Sequence, residues 1–430
     1  MIRFIYNLLW PIGLLFFLPA YLVKMVRRGG YREKFAQRLG IYGADVRAHL
    51  SKQTSTWLHA VSVGEVSIAL KLANTLRALE PELHCVLTTT TTTGFALANK
   101  TAPSWIEVMY TPLDYWPIMR RAFSAIRPAR ILLVEAEIWP NLAAMAHAQR
   151  VPVALVNARL SPHSERRFRR FGLFVRPTFR LLDLICVQEP EDVARWAALG
   201  VKRSRIQHTG SIKYDPENVE VDSTLPRKIL RQLNVESRPI LFGGSTHPGE
   251  EEILAAIFRE LHAKFPELFL IVVPRHVERA PEVRRVLEQR GLRVASRTRL
   301  SVVDGTVDCL LIDSTGELRN WYAIATVAFI GKSLTAHGGQ NPVEPIMSRV
   351  PVIFGPNMEN FAGLAISLVA RGGALQVDSA ATLQSAIVDL LTNSRARETL
   401  VANANAVLHE HTGAGARTAK LIVDLASRRH

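Results

Sequence analysis

The stretch Thr56-Trp57-Leu58-His59-Ala60-Val61-Ser62-Val63-Gly64-Glu65-Val66-Ser67-Ile68-Ala69-Leu70-Lys71-Leu72-Ala73-Asn74-Thr75-Leu76-Arg77-Ala78-Leu79 turns from strand to helix within a few residues. Residues 56–62 form a short β-rich run, Ser62-Val63-Gly64 turns the chain, and 66–79 continue as a helix. The same succession follows downstream, with β-rich runs at 84–89, 131–134, 151–156 and 184–187 separated by helical segments such as 139–149. Repeated strand, helix, strand units build a parallel sheet. The succession breaks at 213–226, a polar stretch carrying Pro216 and Pro226. It resumes at 239–242, 268–273, 309–312, 327–330 and 350–354. A second parallel sheet therefore follows a linker. From about Leu383 onward the chain reads as helices rich in Ala and Leu, long enough to return toward the first half.

A chain of 430 residues is too long for one ordinary core, which agrees with two sheets. Hydrophobic residues at 48% and charged residues at 21% exclude a disordered, fibrous or polytopic membrane chain. Lys and Arg number 53 against 38 Asp and Glu, and the resulting +15 suits nucleic acid, an anionic lipid surface or a phosphorylated substrate alike. Cys85, Cys186 and Cys309 are odd in number, far apart and set in apolar runs, so neither a disulfide framework nor a zinc site is expected.

Between Phe4 and Val23 the only strongly polar side chain is Asn7, and twenty helical residues cover roughly 30 Å, the thickness of a bilayer's hydrocarbon core. Lys24, Arg27, Arg28, Arg32, Lys34 and Arg38 follow, against Arg3 alone before, which places the rest of the chain in the cytoplasm. Pro11 and Pro19 leave open whether the segment spans or half-inserts. The expected organisation is an anchor over 1–30, one α/β domain over 31–215 and another over 216–430.

Carboxyl ends of parallel strands are where open sheets bind ligands. Gly243-Gly244-Ser245-Thr246 and Gly331-Lys332-Ser333 both occupy such ends. The latter lacks the glycine five residues earlier that a phosphate-binding P-loop requires, Thr326 standing there, and no Gly-x-Gly-x-x-Gly opens a helix. No Asp-x-Asp, His-Glu-x-x-His or Cys-x-x-Cys occurs, so metal-free chemistry without a cofactor is expected.

In His337-Gly338-Gly339-Gln340-Asn341-Pro342-Val343-Glu344-Pro345, Asn341 is placed to cap a helix opened by Pro342. Glu344 then serves either as a capping-box partner or as an acceptor for ribose hydroxyls. Arg275 in Pro274-Arg275-His276 suits bidentate binding of phosphate or carboxylate, or a surface ion pair. Glu65 sits in the first turn of its helix, where the amino end is expected to lower its pKa and keep it ionised. Glu135 and Glu137 directly follow the run 131–134, where apolar sheet gives way to a ligand-facing edge, and Lys213 lies just before the linker. Arg159, Arg166, Arg167, Arg169, Arg170 and Arg176 interleave with Phe168, Phe171 and Phe174, a pattern open to RNA, to lipid headgroups or to an ordinary amphipathic helix.

Four blocks together, Trp57-Leu58-His59-Ala60-Val61-Ser62-Val63-Gly64-Glu65, Gly243-Gly244-Ser245-Thr246-His247 with Glu250-Glu251, Val273-Pro274-Arg275-His276 and Gly338-Gly339-Gln340-Asn341-Pro342-Val343-Glu344-Pro345, closely resemble the 3-deoxy-D-manno-octulosonic acid (Kdo) transferases of lipopolysaccharide synthesis. The resemblance spans essentially the whole chain, with the blocks in the family's order. It implies the two-domain GT-B glycosyltransferase fold facing a cleft, CMP-Kdo as donor without metal, and a lipid A precursor as acceptor at the cytoplasmic face of the inner membrane, with anionic lipid and not nucleic acid as the surface partner. Carried over residue by residue, it makes Glu65 the proton acceptor and Glu135 and Lys213 supports of the transition state. The CMP site becomes Pro274 and Arg275, Thr315, Gly316 and Glu317, and Asn341, Pro342, Val343 and Glu344. A GT-B transferase using another nucleotide sugar, and a non-catalytic membrane-tethered anionic-lipid-binding protein, remain the alternatives.

Overall fold

The computed structural model describes residues 3–13, 16, 34–51, 53–136, 138–160, 162–215, 221–300 and 306–427. They form two compact units, one of residues 1–215 with 411–430, the other of 216–410.

The sheet of the first unit consists of β1 (Ser55–Ala60), β2 (Cys85–Thr89), β3 (Ile106–Tyr110), β4 (Pro128–Val134), β5 (Val153–Ala158), β6 (Leu184–Val187) and β7 (Ile206–His208) in the order β3-β2-β1-β4-β5-β6-β7. All neighbours pair in parallel. Successive side chains alternate between two cores, as the pleat requires. Trp57, Ile131 and Leu133 enter one with Phe123 and Trp196, whereas Leu58, Ala60, Leu132 and Val134 enter the other with Leu72 of the helix Val63–Leu79. Burial on both faces is why these strands read as continuous apolar runs.

The second unit repeats the architecture with β8 (Ile240–Thr246), β9 (Phe269–Pro274), β10 (Val294–Ser296), β11 (Cys309–Leu311), β12 (Val327–Ile330), β13 (Val352–Phe354) and β14 (Leu375–Gln376), ordered β10-β11-β9-β8-β12-β13-β14 and parallel throughout. In the first sheet the strand order reverses between β1 and β4, and in the second between β8 and β12. Crevices at such switch points, outside the carboxyl ends, bind ligands in open α/β sheets.

One sequence boundary moves. The final helix, Ala414–Ser427, expected within a second domain over 216–430 but returning toward the first, belongs to the first unit, where Ala414, Ala419 and Ile422 pack in the core shared with Leu72. Only residues 3–13 and 16 of the expected anchor are described; 14, 15 and 17–33 lie outside the described residues. Residues 3–13 are helical and docked on the first unit. The Tyr6 hydroxyl donates to Asp114 Oδ2 (3.1 Å), Asn7 Nδ2 donates to Asn141 Oδ1 (2.8 Å), and Trp10 stacks on Tyr115. Burial pushes the Asp114 carboxyl up to about 6, against hydrogen bonds from the backbone of Asn141 and Leu142 and from Tyr6. No helix among the described residues is long and apolar enough to cross a membrane.

Candidate active site

Glu65, Glu135 and Lys213 come together at the switch point of the first sheet. Beyond the end of β1, Ser62 caps the helix Val63–Leu79, its Oγ accepting from the Glu65 backbone N–H. The Glu65 carboxylate reaches back, Oε2 accepting from the Val61 N–H (2.9 Å) and Oε1 from Ser62 Oγ (2.8 Å). The carboxylate thus closes the helix start through the residue before the cap, and Glu65 is 9% exposed. Burial raises the Glu65 pKa above its ordinary 4.5, the Val61 and Ser62 hydrogen bonds oppose the rise, and the charge of Glu135 adds to it. The expected lowering by the helix amino end is therefore outweighed, because removing a carboxylate from water costs more than a first-turn dipole returns.

Glu135 directly follows β4 in the left-handed region (φ 61°), its N–H still bonded to Val156 O (3.0 Å). Non-glycine residues adopt this conformation at a cost of about 1–3 kcal/mol, and such strain gathers at functional sites. Lys213 is partly withdrawn from water, which lowers its pKa; Glu135 opposes that shift and Arg159 reinforces it. Glu135 thus sits electrostatically between the candidate base and a half-buried cation. Glu137 lies outside the described residues.

The turn carrying Lys213 is held from two sides. Asn157, fully buried and also left-handed (φ 52°), accepts from the Ile212 N–H (2.9 Å) and from Ser211 Oγ (3.3 Å). From the chain's far end, His411 Nδ1 accepts from the Ser211 N–H (3.2 Å) and Arg417 donates to Thr209 O (2.6 and 3.0 Å). Asp215 accepts from the N–H groups of Gly413 and Gly415 (2.7 and 2.8 Å). Sequence reasoning missed Asn157, His411 and Arg417, whose only local signal is a polar residue near an apolar strand or helix end.

In the second unit the loops after β8, β9 and β12 converge. Fully buried Glu250 ties them, its carboxylate accepting from the N–H groups of His247 (2.9 Å), Lys332 (2.8 Å), Ser333 (3.1 Å) and Leu334 (3.2 Å). Burial pushes His247 down to about 4, with Lys332, His276, Arg279 and Arg275 adding positive charge around it. Gly331 is required here, since a Cβ would meet Ser245 O at 2.2 Å. Arg275, expected as an anion ligand, stands in this cationic cluster directly after Pro274, its N–H on Thr246 O (3.0 Å). Lys332 and His247 are additions, and the signal for Lys332 was the strand-end Gly331-Lys332-Ser333 set aside for want of a P-loop glycine.

The remaining expected site residues sit at the ends of β11 and β12. The Glu317 carboxylate accepts from Arg297 (3.2 and 3.3 Å) and from Trp321 Nε1 (3.2 Å), so this turn offers a ligand chiefly the backbone of Thr315 and of Gly316 (φ 85°). The helix expected to open at Pro342 opens one residue later, as Val343–Met347, with Pro342 at the cap position. Asn341 nonetheless caps through its side chain, Oδ1 accepting from the Val343 N–H (3.0 Å) while Nδ2 donates to Glu344 Oε1 (3.2 Å). Glu344 is thereby held by Asn341 and is not the reciprocal capping-box partner. Among the described residues no group of three or more His, Cys, Asp or Glu side chains is placed to hold a metal ion.

A family model described as 3-deoxy-D-manno-octulosonic-acid transferase (kdotransferase) matches residues 33–216. The 3-deoxy-D-manno-octulosonic acid transferase of Haemophilus influenzae is 35% identical over 400 residues, 92% of each chain, and that of Bordetella pertussis 35% over 412 residues, 93% of each. The crystal structure of UDP-GlcNAc 2-epimerase from Neisseria meningitidis bound to UDP-GlcNAc shares the fold, with a TM-score of 0.55 at 12% identity over 87% of this chain and 100% of its own. Two parallel α/β units of the GT-B type and full-length similarity at this level lead to one assignment: the chain belongs to the 3-deoxy-D-manno-octulosonic acid transferases, glycosyltransferases of lipopolysaccharide synthesis.

Proposed function

We propose that the protein transfers Kdo from CMP-Kdo to a lipid A precursor (lipid IVA), by a single displacement with inversion and without a metal. The observation that carries this reading is the meeting of Glu65, Glu135 and Lys213 at one switch point. As CMP leaves, the donor's anomeric carbon develops oxocarbenium character. Glu65 takes the proton of the attacking hydroxyl, and its raised pKa suits a base working near neutral pH. Lys213 and Glu135 hold the charge balance around it. In the second unit, Arg275 and Lys332 supply positive charge for the departing phosphate, and Asn341 and Glu344 meet the ribose.

The mass of the product formed from CMP-Kdo and a tetraacylated lipid A precursor tests the reaction; no Kdo-bearing product would overturn it. Melting with nucleotides separates the alternatives, since CMP is expected to stabilise and UMP not. Stabilisation by UMP alone would point to another nucleotide sugar, and none by either to a binding protein. EDTA is expected to leave transfer from ready-made CMP-Kdo intact, and loss restored by one particular metal would refute the metal-free mechanism.

The Glu65–Glu135 coupling predicts a pH effect. A base works when ionised, so kcat/KM falls as pH drops through the Glu65 pKa, which lies above 4.5. Glu135→Gln removes a charge that raises that pKa and frees Lys213 to lower it further, so the acid limb is expected to move to lower pH. A limb that stays in place would show that Glu135 does not act on Glu65.

We place the protein at the cytoplasmic face of the inner membrane, because residues 3–13 expose Phe4, Leu8, Leu9 and Ile12, and Leu9 shares a mostly apolar cavity with the exposed Phe174. Deleting residues 1–24 is expected to shift it from the membrane to the soluble fraction, with residual binding that salt removes. Retention in high salt would refute residues 1–24 as the anchor.

A further inference from the structure

A cavity of about 750 Å³ lies on the first unit away from its switch point, lined among others by Tyr42, Arg47, Trp116, Arg120, Arg121 and Arg127. Among the described residues four arginines and no carboxylate face it. Arg127 donates to Ser51 O (3.0 Å) and Arg120 lies 5.9 Å from the Trp116 ring centre. Arg47, Arg120 and Arg121 have no ion pair among the described residues. The Tyr42 hydroxyl is closed off from water in the packed wall, so Tyr42 contributes shape and not a hydrogen bond. The chemistry on offer is that of an oxyanion, met by guanidinium forks.

The neighbourhood says what carries that anion. A second cavity of about 650 Å³ shares Trp116 and Pro117 and is otherwise mostly apolar, with Phe4, Tyr115, Ala144 and Leu181 in its wall. Half-exposed Trp116 stands between the arginine-lined and the greasy space, a position tryptophan favours at the boundary between headgroups and acyl chains. We propose that the arginine cavity binds the phosphate headgroup of an anionic bilayer phospholipid whose acyl chains run along the apolar cavity. Arg127 precedes β4 at its amino end while Glu135 follows at its carboxyl end, and seven strand residues put roughly 20 Å between them. A phosphate held by Arg127 is thus remote from the candidate base, so the bound lipid docks the enzyme and is not the sugar acceptor.

The proposal deepens the membrane placement but is tested without it. Full-length protein in neutral detergent is titrated with dioctanoyl phosphatidylglycerol, and with dioctanoyl phosphatidylcholine and inorganic phosphate as comparisons, by calorimetry. Saturable binding of the phosphatidylglycerol is expected, with the affinity lowered about tenfold or more in Arg47→Ala/Arg121→Ala, both exposed positions. Unchanged affinity in that variant, or equal affinity for inorganic phosphate or phosphatidylcholine, would overturn it. Loss of membrane localisation in cells with this binding intact would count against the placement alone.

Discussion

Glu65→Gln is expected to lower turnover at least about a hundredfold, because a positioned general base contributes about a hundred- to ten-thousand-fold and the amide has no basicity. The structure adds a second cost. Both carboxylate oxygens receive hydrogen bonds, from Val61 N–H and Ser62 Oγ, and an amide can answer only one donor with an oxygen. The helix cap therefore weakens by about 0.5–2 kcal/mol while the fold persists. Ser62→Ala measures that part separately, since it loosens the cap and leaves the base. Stabilisation by CMP should survive in both variants, because the proposed nucleotide site is in the other unit. Near-normal turnover in Glu65→Gln, or a loss no larger than that of Ser62→Ala, would move the search for the proton acceptor to Glu135.

Glu250→Ala is expected to damage the second unit more than a substitution at Arg275 or Glu344. One fully buried carboxylate satisfies four backbone N–H groups from the loops after β8 and β12. Bare buried donors cost about 1–3 kcal/mol each, and with partial relaxation and water entry the total falls near 3–5 kcal/mol. For a unit of this size that corresponds to a fall in Tm of about 6–20 °C. Stabilisation by CMP should vanish with it, because Lys332 and His247 lose their shared anchor. A fall under about 2 °C with the CMP response intact would refute this role. Glu250→Gln, which keeps one good acceptor, should lie between.

Which parts of the fold were legible follows from where apolar atoms are buried. The strands central in each sheet, β1, β4, β5, β8, β9 and β12, are covered on both faces and announce themselves as apolar runs. The outer strands β3, β7, β10 and β14 went unread: β7, β10 and β14 have three, three and two residues, and β3 alternates with the half-buried Glu107. Glu65 was legible because strand, turn and helix are contiguous around it. The closeness of Lys213 to Glu135 was not, since it depends on strand order, which no local stretch encodes. Glu250 entered only as part of a block that carries the family resemblance, and only the strand-end loops meeting over it show four donors aimed at one carboxylate. Asn7 looked like an exception in an apolar run, yet with Tyr6 it makes the polar contacts that fasten residues 3–13 to the first unit.

The final helix, joined to the first unit rather than the second, sets an order on biosynthesis. A nascent chain folds from its amino end as it emerges, at about 5–20 residues per second. The first unit's sheet can form once residue 208 is out, but Thr209, Ser211 and Asp215 wait for partners at 411–417. The roughly 200 residues of the second unit must be made in between, a delay on the order of 10 to 40 s. Throughout that interval the helix Val63–Leu79 lacks its cover and the turn bearing Lys213 lacks its brace. A ribosome stalled before residue 411 would thus hold a first unit with an unfinished centre, and a truncation that removes 411–417 would reach the turn bearing Lys213 although about 200 residues separate them in sequence.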